Sequence, residues 1–229
     1  MECKPVIYVD FVLDKSSSMM EQTQEIVLSF CSVLCEEFDR YNGAVEIRCG
    51  CTWFYGSHVE PDLPLFLYPH KEKTMKAIRT TYRRIVEGVG DIDSHEDAEK
   101  ALLASFRKLS DLPDAPPSKR AVFFFSDAWK YKAHKIDRLP ALPDFVFFCM
   151  TSSANNHSSL VKQICREIGT GKNGLPRHDC RFWDDISLDS AKTTSEKVFT
   201  LFREICMPAI ETVTITCEGK GTAYGSNTA

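Results

Sequence analysis

Val6 to Leu13 is nearly continuous in apolar residues, as a strand covered on both faces of a parallel sheet would be. Asp10 interrupts the run and reads as a strand-start residue bonded to a neighbouring backbone group. From Met19 to Tyr41, the residues Ile26, Val27, Phe30, Val33, Leu34 and Phe38 recur at steps of three and four. That spacing predicts a long helix with one buried stripe, stopped by Asn42-Gly43. Ala44 to Tyr55 is rich in β-formers and predicts a second strand, and Leu65-Phe66-Leu67 a short antiparallel edge strand after a bend from Pro61 to Pro64. A helix from about Lys73 to Val86 follows. Gly88-Val89-Gly90-Asp91 opens a loop whose Asp93 or Ser94 can cap a helix from Glu96 to about Leu109, with Ala98, Ala101, Leu102 and Phe106 on one stripe.

Arg120 to Asp127 is a second apolar run that ends in an acid, and Phe145 to Met150 is a third, ending in Thr151-Ser152-Ser153. A helix from Ser158 to Ile168, a short strand near Cys180 to Trp183 and a helix from about Asp189 to Met207 complete the pattern. Strands alternating with helices predict an α/β fold. Its central sheet is doubly wound and mostly parallel, with one antiparallel edge strand and helices on both faces. The expected organisation is a single domain over residues 1–210 and a C-terminal extension over 211–229, with a strand at Val213 to Cys217 and then a frayed tail.

Composition narrows the partners. A chain of 229 residues with 43% hydrophobic and 26% charged residues has the content of one ordinary globular domain. A formal net charge of −4 argues against nucleic acid as a partner, since such binders carry a basic footprint. The start Met1-Glu2-Cys3-Lys4-Pro5 has no leader pattern and no stretch is apolar over a bilayer's thickness, so a cytoplasmic monomer or weak oligomer without membrane contact is expected. The ten cysteines then read as small buried hydrophobes in a reducing compartment; Cys49-x-Cys51 would face one side of a strand and could be half of a metal clip, but no second pair has zinc-finger spacing. His58, His70 and His134 show no mutual spacing of a ligand set.

The chemistry concentrates where the first strand ends. Asp14 stands at its carboxyl end, where open α/β sheets place ligands, and Ser16 and Ser18 follow in the turn towards the helix. A carboxylate and two hydroxyls make an all-oxygen donor set that suits Mg²⁺ or Mn²⁺. Asp14-x-Ser16-x-Ser18 after an apolar strand resembles the metal-ion-dependent adhesion site of von Willebrand factor type A domains.

The resemblance extends in element order over most of residues 5 to 207. It implies two further loops at the site. The third loop is matched by Ser126-Asp127-Ala128, where Asp127 takes the place of the family's acid and Ala128 departs from its glycine. The second is matched by Gly88-x-Gly90-Asp91, with Asp91 the expected ligand and Asp93 or Ser94 its alternatives. Trp129, Lys130 and Tyr131 would border the metal. What the family implies is a binding module whose cation is completed by an Asp or Glu of a partner protein. The stand-alone form is most similar to cytosolic bacterial members associated with tellurium resistance and stress response. An enzyme is the competing reading: a Mg²⁺-dependent phosphatase with Asp14 as nucleophile. Such enzymes usually carry a second acid two residues on, where this chain has Ser16. A dinucleotide fold is weaker, because no glycine fingerprint follows the first strand.

Overall fold

Nine consecutive residues, Val6–Asp14, form strand β1, and every one of them is buried. A strand with no exposed face belongs inside a sheet that is covered on both sides. In the computed structural model β1 pairs in parallel with β2 (Glu46–Tyr55) on one side and with β4 (Ser118–Phe125) on the other. The structure describes residues 6–15, 21–40, 46–55, 58–67, 72–73, 75–76, 79–80, 98–112, 118–126, 139–142, 144–152, 158–170, 176–187, 190–201 and 203–204.

The sheet is completed by β3 (His58–Leu67), β5 (Phe145–Ser152) and β6 (Asp179–Ile186), in the order β3-β2-β1-β4-β5-β6. β3 runs antiparallel to β2 and all other pairs are parallel. The edge strand is longer than its apolar triplet suggests, because Pro61 and Pro64 lie inside β3 instead of bending the chain ahead of it. An edge strand has a ladder on one side only, so a residue without an N–H is tolerated there. The β2–β3 register shifts twice, between Cys49 and Cys51 and between Cys51 and Trp53, and absorbs the irregularity.

Helices α1 (Glu21–Arg40), α2 (helical at 72–73, 75–76 and 79–80), α3 (Ala98–Ser110), α4 (Ser158–Gly169) and α5 (helical at 191–201 and 203–204) divide between the two faces. Ile26, Val27, Phe30, Cys31 and Cys35 of α1, Met75 of α2, and Ala191, Val198 and Phe199 of α5 share one core cluster with the odd-numbered residues of β1. Ala98, Ala101, Leu102, Phe106 and Leu109 of α3 and Val161, Ile164, Cys165 and Ile168 of α4 share the other with Val6, Tyr8 and Val12. This is the doubly wound arrangement that the alternating pattern predicts. Val33, expected on the α1 stripe, is half-buried, and the thiols of Cys31 and Cys35 fill that face.

Each face is held by a band of rings. On the α1 side, Phe11, Phe123, Phe148 and Trp183 stack in sequence across four strands, with centroids 5.5, 4.8 and 5.8 Å apart. On the α3 side, Phe54 and Phe147 flank Phe124 at 6.1 and 6.0 Å. Beyond the roughly 1.5–3 kcal/mol gained by burying each such side chain, ring pairs of this kind contribute about 0.5–1.5 kcal/mol.

Two buried charges are paired within this framework. Asp10 is fully buried mid-strand and bonds side chains, not the backbone as its sequence context suggested. Its Oδ1 accepts from Lys108 Nζ of α3 at 2.7 Å and its Oδ2 from Thr52 Oγ1 at 2.8 Å. Lys108 also donates to Thr52 Oγ1 at 2.9 Å and to the Cys51 carbonyl at 3.2 Å. Arg120, 2% exposed, caps the end of α3: its Nε donates to the Leu109 carbonyl at 3.1 Å and a terminal nitrogen to that of Leu112 at 3.4 Å. A cation at a helix C-terminus satisfies carbonyls that have no intrahelical partner.

The cysteines at 31, 35, 49, 51, 149, 165 and 180 are free thiols, and all but Cys180 are buried. Cys49 and Cys51 do share one side of β2, but both belong to the apolar core beneath α1. Among the described residues no group of three or more His, Cys, Asp or Glu is arranged to hold a metal ion, so the half-clip reading of these two gains no support. Among the described residues, too, no helix is long and apolar enough to cross a membrane. His58 is exposed and stacks on Tyr55.

Candidate metal centre at the sheet switch point

The strand order reverses between β1 and β4, and crevices at the carboxyl ends of strands on either side of such a reversal are where doubly wound sheets bind ligands. Asp14 ends β1 at this point, and Ser126 follows the last residue of β4. Both are fully buried, and Ser126 Oγ donates to Asp14 Oδ2 at 2.6 Å across the switch point. That length is characteristic of a hydroxyl bonded to an ionised carboxylate.

The strands fix this meeting by register and by face. Leu13 pairs with Phe125, and Phe125 with Met150, so Asp14, Ser126 and Thr151 each lie one residue beyond a single row of paired positions. Side chains alternate along a strand, and Val12, Phe124 and Cys149 all face the α3 and α4 side. Asp14, Ser126 and Thr151, two residues on, face the same side. The backbone ties are equally direct. Lys15 N donates to the Phe54 carbonyl at 2.9 Å and Ser126 N to the Met150 carbonyl at 3.4 Å. Lys15 lays its ammonium 5.0 Å from the centre of the Tyr55 ring.

Thr151 is fully buried, and among the described residues its hydroxyl has no hydrogen-bond partner. Buried polar groups of this kind are rare in folded proteins and ask for a ligand, an ion or water. The β5–β6 register also shifts between Met150 and Ser152, a bulge at the edge of the site such as often accompanies functional positions. The donor set of the described part is thus one carboxylate and two hydroxyls, all hard oxygens. Mg²⁺ and Mn²⁺ favour such donors, and the residues present fit a hard dication.

Of the five expected ligands, the structure places Asp14 at the carboxyl edge of the sheet. Ser16, Ser18, Asp91 and Asp127 lie outside the described residues, as do Asp93, Ser94 and Trp129 to Tyr131. Ser126 and Thr151 stand at this edge of the sheet, a place the sequence reading did not assign to them. Ser126 was legible only as the residue before Asp127, and Thr151 only as the polar end of a third apolar run.

No family model matches this chain, and no curated sequence does. Solved structures do. The chain is similar to proximal thread matrix protein 1 from the mussel byssus, solved with a zinc-occupied MIDAS motif, at 18% identity and a TM-score of 0.59 over 86% of this chain and 48% of that one. It is also similar to a von Willebrand factor type A protein from Catenulispora acidiphila, at 11% identity and a TM-score of 0.53 over 85% of this chain and 42% of that one. The PilB minor pilin from Streptococcus sanguinis aligns at 10% identity and a TM-score of 0.60 over 89% of this chain and 62% of that one. The chain therefore spans about half the length of the byssus protein. These likenesses establish the von Willebrand type A fold, in which one antiparallel edge strand joins a parallel sheet.

Proposed function

We propose that this protein is a metal-ion-dependent protein-binding module. The observation that carries the reading is the 2.6 Å bond between Asp14 and Ser126 at the switch point, with the orphan hydroxyl of Thr151 in the next strand. Together they bring hard oxygen donors to the place where this fold binds ligands. Ser16, Ser18, Asp91 and Asp127 would complete the set from the adjoining loops, with Asp93 or Ser94 in place of Asp91 as alternatives. When bound, the cation supplies a Lewis-acidic coordination position open to an outside ligand.

This chain's own residues do the rest. Asp14 holds charge at the sheet edge, Ser126 fixes one of its oxygens, and the backbone bonds of Lys15 and Ser126 lock both strand ends. A carboxylate from an Asp or Glu of a partner protein is the ligand a hard dication in such a groove would favour. Mg²⁺ or Mn²⁺ suits the donor chemistry, and the zinc in the byssus protein's motif supports a divalent ion more generally. The phosphatase reading lacks the second acid that such enzymes usually carry two residues after the nucleophile, where this chain has Ser16.

Calorimetric titration of the metal-stripped protein with Mg²⁺, Mn²⁺ and Zn²⁺ tests this directly. Wild type should bind one ion saturably, and Asp14→Ala and the double variant Ser16→Ala/Ser18→Ala should lose that binding while keeping a cooperative thermal transition. Unchanged affinity in Asp14→Ala would overturn the site. A wild type that binds none of the three ions would overturn the function.

A further inference from the structure

The end of the sheet opposite the metal centre carries a cavity of its own. Parallel strands bring their amino ends together, and here Lys119 near the start of β4, Phe145 at the start of β5 and Asp179 at the start of β6 line a concavity of about 620 Å³. Small-molecule sites have volumes of about 300–1,000 Å³. β4 runs from Lys119 to the switch point at Ser126, which puts the cavity roughly 20 Å from the metal centre at about 3.3 Å per residue. Leu142, Phe145 and Pro176 give the cavity apolar walls. The His178 ring stands edge-on to Phe145, with centroids 4.9 Å apart.

The charges around the cavity do not cancel. Asp144 Oδ1 is paired with Lys119 Nζ at 2.7 Å and Asp179 Oδ1 with Arg181 Nε at 3.0 Å, so each acid of the lining has its own base. His178 carries no charge at neutral pH, since burial, with the Arg177 charge adding to it, lowers its pKa to about 4. Arg177 is left over. It gives one N–H to the Leu139 carbonyl, and among the described residues no carboxylate pairs with it. A guanidinium has five N–H donors in a planar fork that matches a carboxylate, so further donors remain for a ligand. Its backbone is held in place: Arg177 N donates to the Gly169 carbonyl at 2.8 Å, and Pro176 bridges to Thr170.

Two local costs fall on the same lining. Asp144 holds a left-handed backbone at φ 47°, and His178 Nε2 is buried with no hydrogen-bond partner among the described residues. Costs of this kind cluster at binding and catalytic positions. We propose that this cavity binds a small organic monocarboxylate, with the carboxylate on the Arg177 guanidinium and the apolar body against Leu142, Phe145 and Pro176. One uncompensated positive charge matches one negative charge, whereas a phosphate dianion would bring a second charge with no partner into a half-apolar site. The apolar walls add affinity only for a ligand with a body to bury, which an inorganic anion lacks.

The test titrates the full chain, free of divalent metal, with 3-phenylpropionate and octanoate and follows backbone amide shifts by NMR. Both acids should give saturable shifts at Phe145, Arg177, His178 and Asp179 and leave Asp14 and Ser126 unmoved. The neutral amides of the two acids should bind more weakly by about tenfold or more, the worth of one charge-assisted hydrogen bond. Arg177→Gln should weaken the acids to the level of the amides and leave the amides unchanged. No saturable shift with either acid into the millimolar range, shifts centred elsewhere, amides that bind as well as acids, or inorganic phosphate that binds the cavity more tightly than either acid would each overturn the proposal. The comparison of acid with amide uses wild type alone, so a variant that misfolds does not remove the test. Because no metal is present, the result stands apart from the metal centre.

Discussion

Removal of Lys108 should destabilise the protein far more than a half-surface lysine ordinarily does. Its ammonium closes a triangle with Asp10 and Thr52, bonding Asp10 Oδ1 at 2.7 Å and Thr52 Oγ1 at 2.9 Å, while the Asp10 side chain has no exposure at all. Lys108→Met keeps the aliphatic stem packed and deletes only the charge. Asp10 is then left with the Thr52 hydroxyl as its described partner inside an apolar sheet. Breaking one side of a buried ion pair costs about 3–5 kcal/mol. For a chain of this length that corresponds to a fall in Tm of about 6–20 °C, from about 2–4 °C per kcal/mol.

The companion experiment removes the whole network. Asp10→Val/Thr52→Val/Lys108→Met replaces every polar member by a side chain of similar size, and such replacements are often neutral or stabilising by about 1–4 kcal/mol. The triple variant should therefore recover most or all of what Lys108→Met loses, and the strong non-additivity is the signature of a desolvated pair. Urea unfolding followed by circular dichroism and by tryptophan fluorescence measures both variants, and coincidence of the two probes checks that the transition is two-state. A loss below about 1 kcal/mol for Lys108→Met, the range of a surface pair, would refute the reasoning.

Three further outcomes follow from the same geometry. Arg120→Met should cost about 1–3 kcal/mol, since it strands the Leu109 and Leu112 carbonyls at the end of α3, and amide exchange should rise in that last turn first. His178 is packed edge-on to Phe145 and Phe106, and burial, with Arg177 adding to it, lowers its pKa to about 4. Because its folded pKa lies below its unfolded value of about 6.5, the unfolded chain takes up the proton first, so stability should fall as pH drops from about 6.5 towards 4. Tm measured across that window should slope less in His178→Gln than in wild type. Asp144 holds φ at 47°, a left-handed backbone conformation, with its carbonyl accepting from Arg120 N, so Asp144→Val should lower Tm more than Asp144→Asn does.

The architecture was legible because its signals are local. Val6 to Leu13, Arg120 to Phe125 and Phe145 to Met150 are runs without a polar face, and such runs have a place only inside a covered parallel sheet. The stripe at Ala98, Ala101, Leu102 and Phe106 needs only its own spacing to specify a buried helix face. Where reading failed, the missing term was a neighbour. Pro61 and Pro64 read as a bend because proline breaks an interior ladder, and only the edge position of β3, a property of the assembled sheet, makes them admissible within a strand.

The same limit decides the candidate site. Asp10 and Asp14 are acids on one strand and one face, four residues apart and equally buried, so neither residue type nor burial separates their roles. Their partners do, and those lie 98 and 112 residues away. Asp10 sits at mid-sheet, where α3 can lower a lysine onto it, and becomes part of the frame. Asp14 sits where β1 ends at the switch point, so the side chain it meets comes from the strand end next to it, a hydroxyl that fixes the carboxylate and leaves its charge in place. Height along the strand, and not residue type, pairs one acid with a lysine inside the sheet and the other with a hydroxyl at the switch point, where the cation site is proposed. A short motif can mark the second position because the turn after Asp14 is continuous with it in sequence. Ser126 and Thr151 belong to the same edge only through the register of three strands, and became legible once those strands were paired.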